Sequence, residues 1–177
     1  IQKFTNNGEF LSSWGTDGVE DGQFQHSTGI AVYENNVYVV DEKLDIVQKF
    51  DSDGNFILKW GEFGNKSGQF SSPRGIEVDS NGVVYVVDTK NHRIQQFTAD
   101  GEFMSSFGKY GFMDNALKTP VDIAISENFI YISDPGNNKI AKYSLDGIFL
   151  KAFNQSFGGK SITPEGLITD PDGNVYF

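Results

Sequence analysis

Two histidines, two arginines and a set of regularly spaced carboxylates are the residues of this chain with chemistry to offer. His26 and His92 are its only histidines. A catalytic zinc takes three protein ligands and keeps one position open. Two histidines on different loop types supply that only with a carboxylate added. The chain has no cysteine, so it holds neither a thiolate nucleophile nor a disulfide, and its redox compartment is unmarked. No Gly-x-Ser-x-Gly elbow occurs, and Gly82-Val83-Val84-Tyr85 opens a β-branched run, not a phosphate loop. Asp51-Ser52-Asp53-Gly54-Asn55 and Asp170-Pro171-Asp172-Gly173-Asn174 resemble half of a calcium loop. They lack the bidentate Glu that closes such a loop and stand where hairpin turns are expected. The residue types therefore give no catalytic constellation, no metal site and no cofactor, and the chain reads as non-enzymatic.

Position sorts the remaining candidates, because the chain repeats itself. Ile46-Val47-Gln48-Lys49-Phe50-Asp51-Ser52-Asp53-Gly54 returns as Ile94-Gln95-Gln96-Phe97-Thr98-Ala99-Asp100-Gly101. It returns again as Ile140-Ala141-Lys142-Tyr143-Ser144-Leu145-Asp146-Gly147, and the N-terminus is a further copy, Ile1-Gln2-Lys3-Phe4-Thr5-Asn6-Asn7-Gly8. Gly8, Gly54, Gly101 and Gly147 fall 46, 47 and 46 residues apart. A period of this length marks one supersecondary unit stacked several times. Residues common to every copy are frame, and residues that change between copies are candidates for function. Asp41, Asp88 and Asp134 end the second strand of each complete copy, so they are expected to hold loop N–H groups.

Within the copy from Ser71 to Gly108, four short runs are separated by turn chemistry: Gly75–Asp79, Val83–Val87, Ile94–Phe97 and Phe103–Phe107. Such short connections force antiparallel pairing. The second run is apolar on both faces in every copy (Val37–Val40, Val83–Val87, Phe129–Ile132), so a sheet must pack on each side. Four-stranded antiparallel sheets with two buried faces at this spacing are propeller blades. We label their strands a to d from axis to rim. The fold class is all-β, a β-propeller with about four blades' worth of strands, running c-d, three complete sets, then a-b. The units are 1–15 (partial), 16–61, 62–108, 109–154 and 155–177 (partial), within one domain over 1–177. The chain opens in mid-repeat and lacks an initiator Met, as a piece of a longer protein would.

Gly68-Gln69-Phe70-Ser71-Ser72-Pro73-Arg74-Gly75-Ile76-Glu77-Val78-Asp79 and Asp88-Thr89-Lys90-Asn91-His92-Arg93-Ile94-Gln95-Gln96-Phe97 resemble the entry and signature segments of the NHL-repeat family. The other copies lack the Asn-His-Arg. The Gly-His and Trp-Asp pairs of WD40 repeats do not occur. The resemblance implies a six-bladed propeller of which this chain is an arc, in preference to a closed four-blade ring. It also implies a binding platform, with a zinc-dependent amidating lyase as the family's enzymatic exception.

The net charge of −10 divides by face. The a-to-b and c-to-d turns carry eleven carboxylates and no Lys or Arg, whereas the long d-to-a and b-to-c loops carry eleven carboxylates against nine cations. Neither face has the basic footprint of a nucleic-acid platform. No apolar run approaches the ~20 residues of a membrane helix. An extracellular or cell-surface setting is the expectation. Two acceptor patterns for N-glycosylation, Asn65-Lys66-Ser67 and Asn154-Gln155-Ser156, carry little weight in a chain this rich in Asn and Ser.

The residue just before strand a lies at the mouth of the central channel. It is Thr28, Arg74, Val121 and Glu165 in the four copies, varying where its neighbours repeat. Arg74 could take a carboxylate bidentately; equally, Glu165 could be its salt-bridge partner across the channel. His26 is unique to its copy. The long loops also carry Phe63, Tyr110, Phe112 and Phe157, while Phe24 and Phe70 match as loop anchors. The candidate ligand-binding residues are Arg74, His26, Tyr110, Phe112 and Glu165, for a protein, peptide or glycan partner on the long-loop face. Two other roles are a metal-dependent propeller lyase or hydrolase, with channel ligands partly outside this segment, and an architectural repeat that associates through open blade edges.

Overall fold

The computed structural model describes residues 1–153, 156, 157, 160, 161 and 163–177. The Asn154-Gln155-Ser156 pattern and the side chains of Phe157 and Lys160 lie outside the described residues.

The chain opens with an antiparallel pair, β1 (Gln2–Phe4) and β2 (Phe10–Ser13), then a short parallel pair, β3 (Thr16–Asp17) and β4 (Gln23–Phe24). The first complete sheet follows: β5 (Ser27–Tyr33), β6 (Asn36–Asp41), β7 (Ile46–Asp51) and β8 (Phe56–Trp60). The second is β9 (Pro73–Val78), β10 (Val84–Asp88), β11 (Arg93–Phe97) and β12 (Phe103–Phe107). The third is β13 (Asp122–Ile125), β14 (Phe129–Asp134), β15 (Lys139–Ser144) and β16 (Phe149–Phe153). Two pairs end the chain, β17 (Ser156–Phe157) with β18 (Lys160–Ser161) and β19 (Ile168–Thr169) with β20 (Val175–Tyr176). Each complete sheet is antiparallel in chain order. Among the described residues the only helical turns are single 3₁₀ turns at Thr89–Asn91 and Pro135–Asn137, in the b-to-c loops.

The inner strands β5, β9, β13 and β19 contact one another in succession, so the sheets fan out from a shared axis. Among the described residues β20 pairs only with β19, and β1 only with β2. The terminal pairs do not merge into one sheet, and the chain is an open arc of a propeller. No helix among the described residues is long and apolar enough to cross a membrane.

The core lies between blades. Tyr38, Val40, Phe70, Ile76, Val84, Val86 and Phe97 close the first interface, and Val87, Ile94, Leu117, Ile123, Ile130, Ile132 and Tyr143 the second. The b strands are buried on both faces because each lies between two such interfaces; Val84 through Asp88 is buried throughout. Each fully buried side chain of this size contributes roughly 1.5–3 kcal/mol.

Two features recur at each of the three interfaces where a c-to-d turn follows. The aromatic that ends strand d lies over the glycine of the next blade's c-to-d turn. A Cβ on Gly54 would stand 2.6 Å from Trp14, one on Gly101 2.7 Å from Trp60, and one on Gly147 2.5 Å from Phe107. In addition, a long polar side chain of strand c reaches a carbonyl of that same turn. Lys3 Nζ donates to Ser52 O at 2.8 Å, Lys49 Nζ to Ala99 O at 2.9 Å, and Gln96 Nε2 to Leu145 O at 2.9 Å.

The repeated aspartates are buried frame. Asp41 accepts backbone N–H bonds from Gln25, His26, Lys43 and Leu44. Asp134 accepts from Lys118 and Thr119 N–H and from Asn137 Nδ2. Asp88 accepts from Ser71 N–H, Asn91 Nδ2, Arg93 Nε and Gln95 Nε2. The Asp-x-Asp-Gly segments are turns. Asp51 accepts from Asp53 and Asn55, and Asp170 from Asn174, which holds both carboxyls below the usual carboxylate range.

Candidate functional site

The mouth of the channel is a cavity of about 410 Å³ lined by His26, Thr28, Arg74, Thr119, Asp122 and Glu165, among others. Strand starts put these residues there. Thr28 and Arg74 lie at the axial ends of β5 and β9, and close passage of the inner strands keeps them together. Gly29 has no room for a side chain, since a Cβ there would lie 2.4 Å from Arg74 O. Thr28 Oγ1 donates to that same carbonyl at 3.1 Å.

One carboxylate organises the cationic side. Glu42 Oε2 stands 3.6 Å from Arg74 Nε and 3.3 Å from His26 Nδ1. The cross-channel pair between Arg74 and Glu165 is not formed, because Glu42, at the start of the adjoining b-to-c loop, lies closer. Glu165 is exposed, and its backbone carbonyl accepts from Ser133 Oγ at 3.0 Å. Arg74 keeps its two Nη groups without a protein partner among the described residues. Its guanidinium thus has an ion-pair contact on one edge and, among the described residues, is open on the fork that recognises carboxylates.

Sequence reasoning counted Glu42 only as one charge on the long-loop face. Its equivalents are Thr89 and Pro135, so it varies between copies just as the mouth positions do. The same comparison could have found it.

Asp122 is the other distinctive lining residue. It stands where Gly29, Gly75 and Gly166 stand in the other copies. Its Oδ2 accepts from Leu167 N–H at 2.7 Å, tying the third blade to the next inner strand. Burial pushes its carboxyl above the usual range, and Glu77 is raised by burial and by the charge of Asp122. Both groups hold a proton to higher pH folded than unfolded. They therefore favour the folded state at low pH, a contribution lost as pH rises through the raised values. An Asp122→Asn chain keeps the acceptor for Leu167 and loses the desolvated charge. It is expected to melt higher than the parent at neutral pH, with the gap closing as pH falls through the carboxylate range. Thermal melts at a series of pH values check this.

His26, Arg74 and Glu165 are thus brought together, whereas Tyr110 and Phe112 are not part of the mouth. These two rings meet edge to face at 5.6 Å, Tyr110 lies 4.7 Å from His92, and Lys118 Nζ stands 5.1 Å over Phe112. They remain 56% and 68% exposed, and Phe63 75%, so the loops do not fold back over them. Phe70 is a core anchor, fully buried, and Phe24 packs at 5.7 Å from Phe50. His92 adopts a left-handed backbone and contacts Lys118 O through Nδ1 at 2.7 Å, a structural bond to the next blade's loop. Among the described residues no group of three His, Cys, Asp or Glu is placed to hold a metal ion.

The short-turn face is less bare of cations than the sequence tally implies. Lysines of strand c lean into it, and Lys49 Nζ meets Asp100 at 3.0 Å as well as Ala99 O.

The NHL repeat matches residues 70–97, in the second complete blade, and the LVIVD repeat matches residues 26–48 and 120–138, in the first and third. No curated protein matches the chain in sequence. Virginiamycin B lyase from Staphylococcus aureus is 16% identical, with a TM-score of 0.68 over 96% of this chain and 52% of that one. A streptogramin B lyase is also 16% identical, with a TM-score of 0.69 over 98% of this chain and 67% of that one. Hydrazine synthase from Kuenenia stuttgartiensis is 13% identical, with a TM-score of 0.67 over 87% and 42%. This chain spans about half the length of the first of these. At such identities the likeness is one of fold alone. Together, radial four-stranded sheets, a regular period and these matches show an arc of a β-propeller that carries an NHL repeat over residues 70–97.

Proposed function

We propose that this propeller is a non-enzymatic binding module that takes a partner polypeptide at the channel mouth, with Arg74 receiving one of the partner's carboxylates. The observation that supports this most is the state of Arg74. It lines a cavity of about 410 Å³, contacts Glu42 through Nε, and among the described residues has no partner on its Nη fork. The residues on either side are Pro and Gly in most copies, with Ser27 and Asp122 the exceptions, while the position itself differs in all four, as a selectivity position should. His26, sharing Glu42, and Glu165 flank the fork and would select what accompanies the carboxylate. Tyr110, Phe112 and Phe63 offer a second, apolar contact away from the axis, where exposed aromatics serve as anchors. An extracellular or cell-surface setting belongs to the same proposal.

The test is an immobilised library of short peptides with free or amidated C-termini, probed with the parent and with Arg74→Ala. A charge-assisted hydrogen bond contributes about 1.5–3 kcal/mol. Retained peptides should carry an Asp, a Glu or a free C-terminal carboxylate, and R74A should weaken them by roughly 10- to 150-fold. Equal retention by both proteins would count against Arg74 as the contact.

A further inference from the structure

A cavity of about 380 Å³ opens on the short-turn face between the second blade and the c-to-d turn of the third. Asp79, Tyr85, Gln96, Ser105, Leu145 and Asp146 are among its lining residues, and all of them belong to complete blades. Strand register sets Asp79, Gln96 and Ser105 where the first blade has Tyr33, Lys49 and Leu58. Each of the three is the shorter side chain of its pair, and the space is what these truncations leave.

The preceding interface shows what such a place holds. There Lys49, a buried side chain, runs its stem between the blades and ends on the next turn. Its Nζ donates to Ala99 O at 2.9 Å and to Asp100 Oδ1 at 3.0 Å, and lies 5.6 Å from the Tyr38 ring centre. In the next interface Gln96 brings an amide instead of a charge. Its Nε2 donates to Leu145 O at 2.9 Å, and its Oε1 accepts from Ser105 Oγ. Asp146, the equivalent of Asp100, is left without an ion-pair partner among the described residues.

Asp79 is a second unmatched charge, and it is 6% exposed. It accepts only from neutral donors, the Asn81 and Val83 N–H groups at 2.9 Å and the Tyr85 hydroxyl at 3.2 Å. No cation pairs with it among the described residues, whereas buried carboxylates are ordinarily paired. Both carboxylates act on Tyr85, whose hydroxyl is pushed up by burial, by Asp79 and also by the charge of Asp146.

We propose that this cavity receives a primary ammonium on an unbranched stem, supplied by a lysine side chain of a polypeptide or by a free amine. The stem lies against Val83 and Met104, which also line the cavity. The ammonium meets Asp146 and Asp79, as Lys49 meets Asp100 from within the chain. The carboxylates of the surrounding turns raise the local concentration of such a cation. The inference is independent of the channel mouth.

The test is an NMR titration of the ¹⁵N-labelled chain. Nα-acetyl-lysine amide should move the Ser105, Leu145 and Asp146 amide resonances saturably, and Nα-acetyl-norleucine amide, which has the stem without the charge, should not. Gln96→Lys supplies the ammonium from within and should abolish the saturable shifts. Asp53→Asn makes the same change in charge at an exposed turn of the first blade and should leave them intact. Asp146→Asn should weaken binding about threefold, the scale of a partly exposed ion pair. n-Pentylamine separates the two sources: binding weaker than that of the lysine derivative assigns the site to a polypeptide, and equal binding to a free amine. Saturable shifts that persist in Q96K would overturn the proposal. So would shifts spread evenly over the acidic turns, equal binding of the norleucine derivative, or no saturable shift at all.

Discussion

An Asp88→Ala chain should unfold in urea with about 4 kcal/mol less stability than the parent, the range for breaking a buried ion pair by removing one partner. Asp88 is fully buried and accepts from one backbone N–H and three side chains, including Arg93 Nε at 2.8 Å. Alanine strands all of these donors at once. Arg93 is the costliest, since its charge stays in a protein environment with only the Lys66 and Gln69 carbonyls to satisfy it. Adding Arg93→Leu to the alanine chain should recover part of the loss. A urea melt of the single and double variants measures both. A loss under about 1 kcal/mol for D88A, the scale of a surface ion pair, would show that the carboxylate is not the frame element described.

Gly101→Ala should cost roughly 3 kcal/mol, while Gly8→Ala should cost about 1–2. Both glycines have left-handed backbone, φ +80° and +84°, and that conformation alone costs an L-residue about 1–2 kcal/mol. Only Gly101 has the Trp60 ring where a Cβ would go, at 2.7 Å. Overpacking of this kind adds about 1–3 kcal/mol. The paired design cancels the backbone cost and leaves the blade-to-blade contact. Equal losses would mean that the indole moves aside at no cost and that the interface is loosely packed.

The repeat made most of the frame legible. Periodic glycines located the c-to-d turns, doubly apolar runs located the b strands, and the recurrence of Asp41, Asp88 and Asp134 identified them as loop holders. The mouth positions were legible too, as points where the copies differ. What escaped was pairing between residues far apart in sequence. Glu42 binds Arg74 because the turn after strand b of one blade stands beside strand a of the next, a juxtaposition that only the radial packing creates. For the same reason the sequence left Arg74 equally open to a ligand carboxylate and to a pair with Glu165, a pair that is not formed although both line the mouth. Lys3 and Lys49 belong to strands c, but their long stems carry the ammonium to the acidic turns of the next blade. Tyr110 and Phe112 were grouped with the mouth because they share its face, yet their loop extends away from the axis.

The account stands on the mouth being a variable site set in an invariant frame. A chain carrying Thr28→Ala, Arg74→Ala, Val121→Ala and Glu165→Ala together tests this in one preparation, by melting temperature and by retention of the peptides that the parent selects. It should melt close to the parent and retain none of them. A collapsed melting temperature would make those four positions part of the scaffold, and undiminished retention would place recognition elsewhere on the propeller.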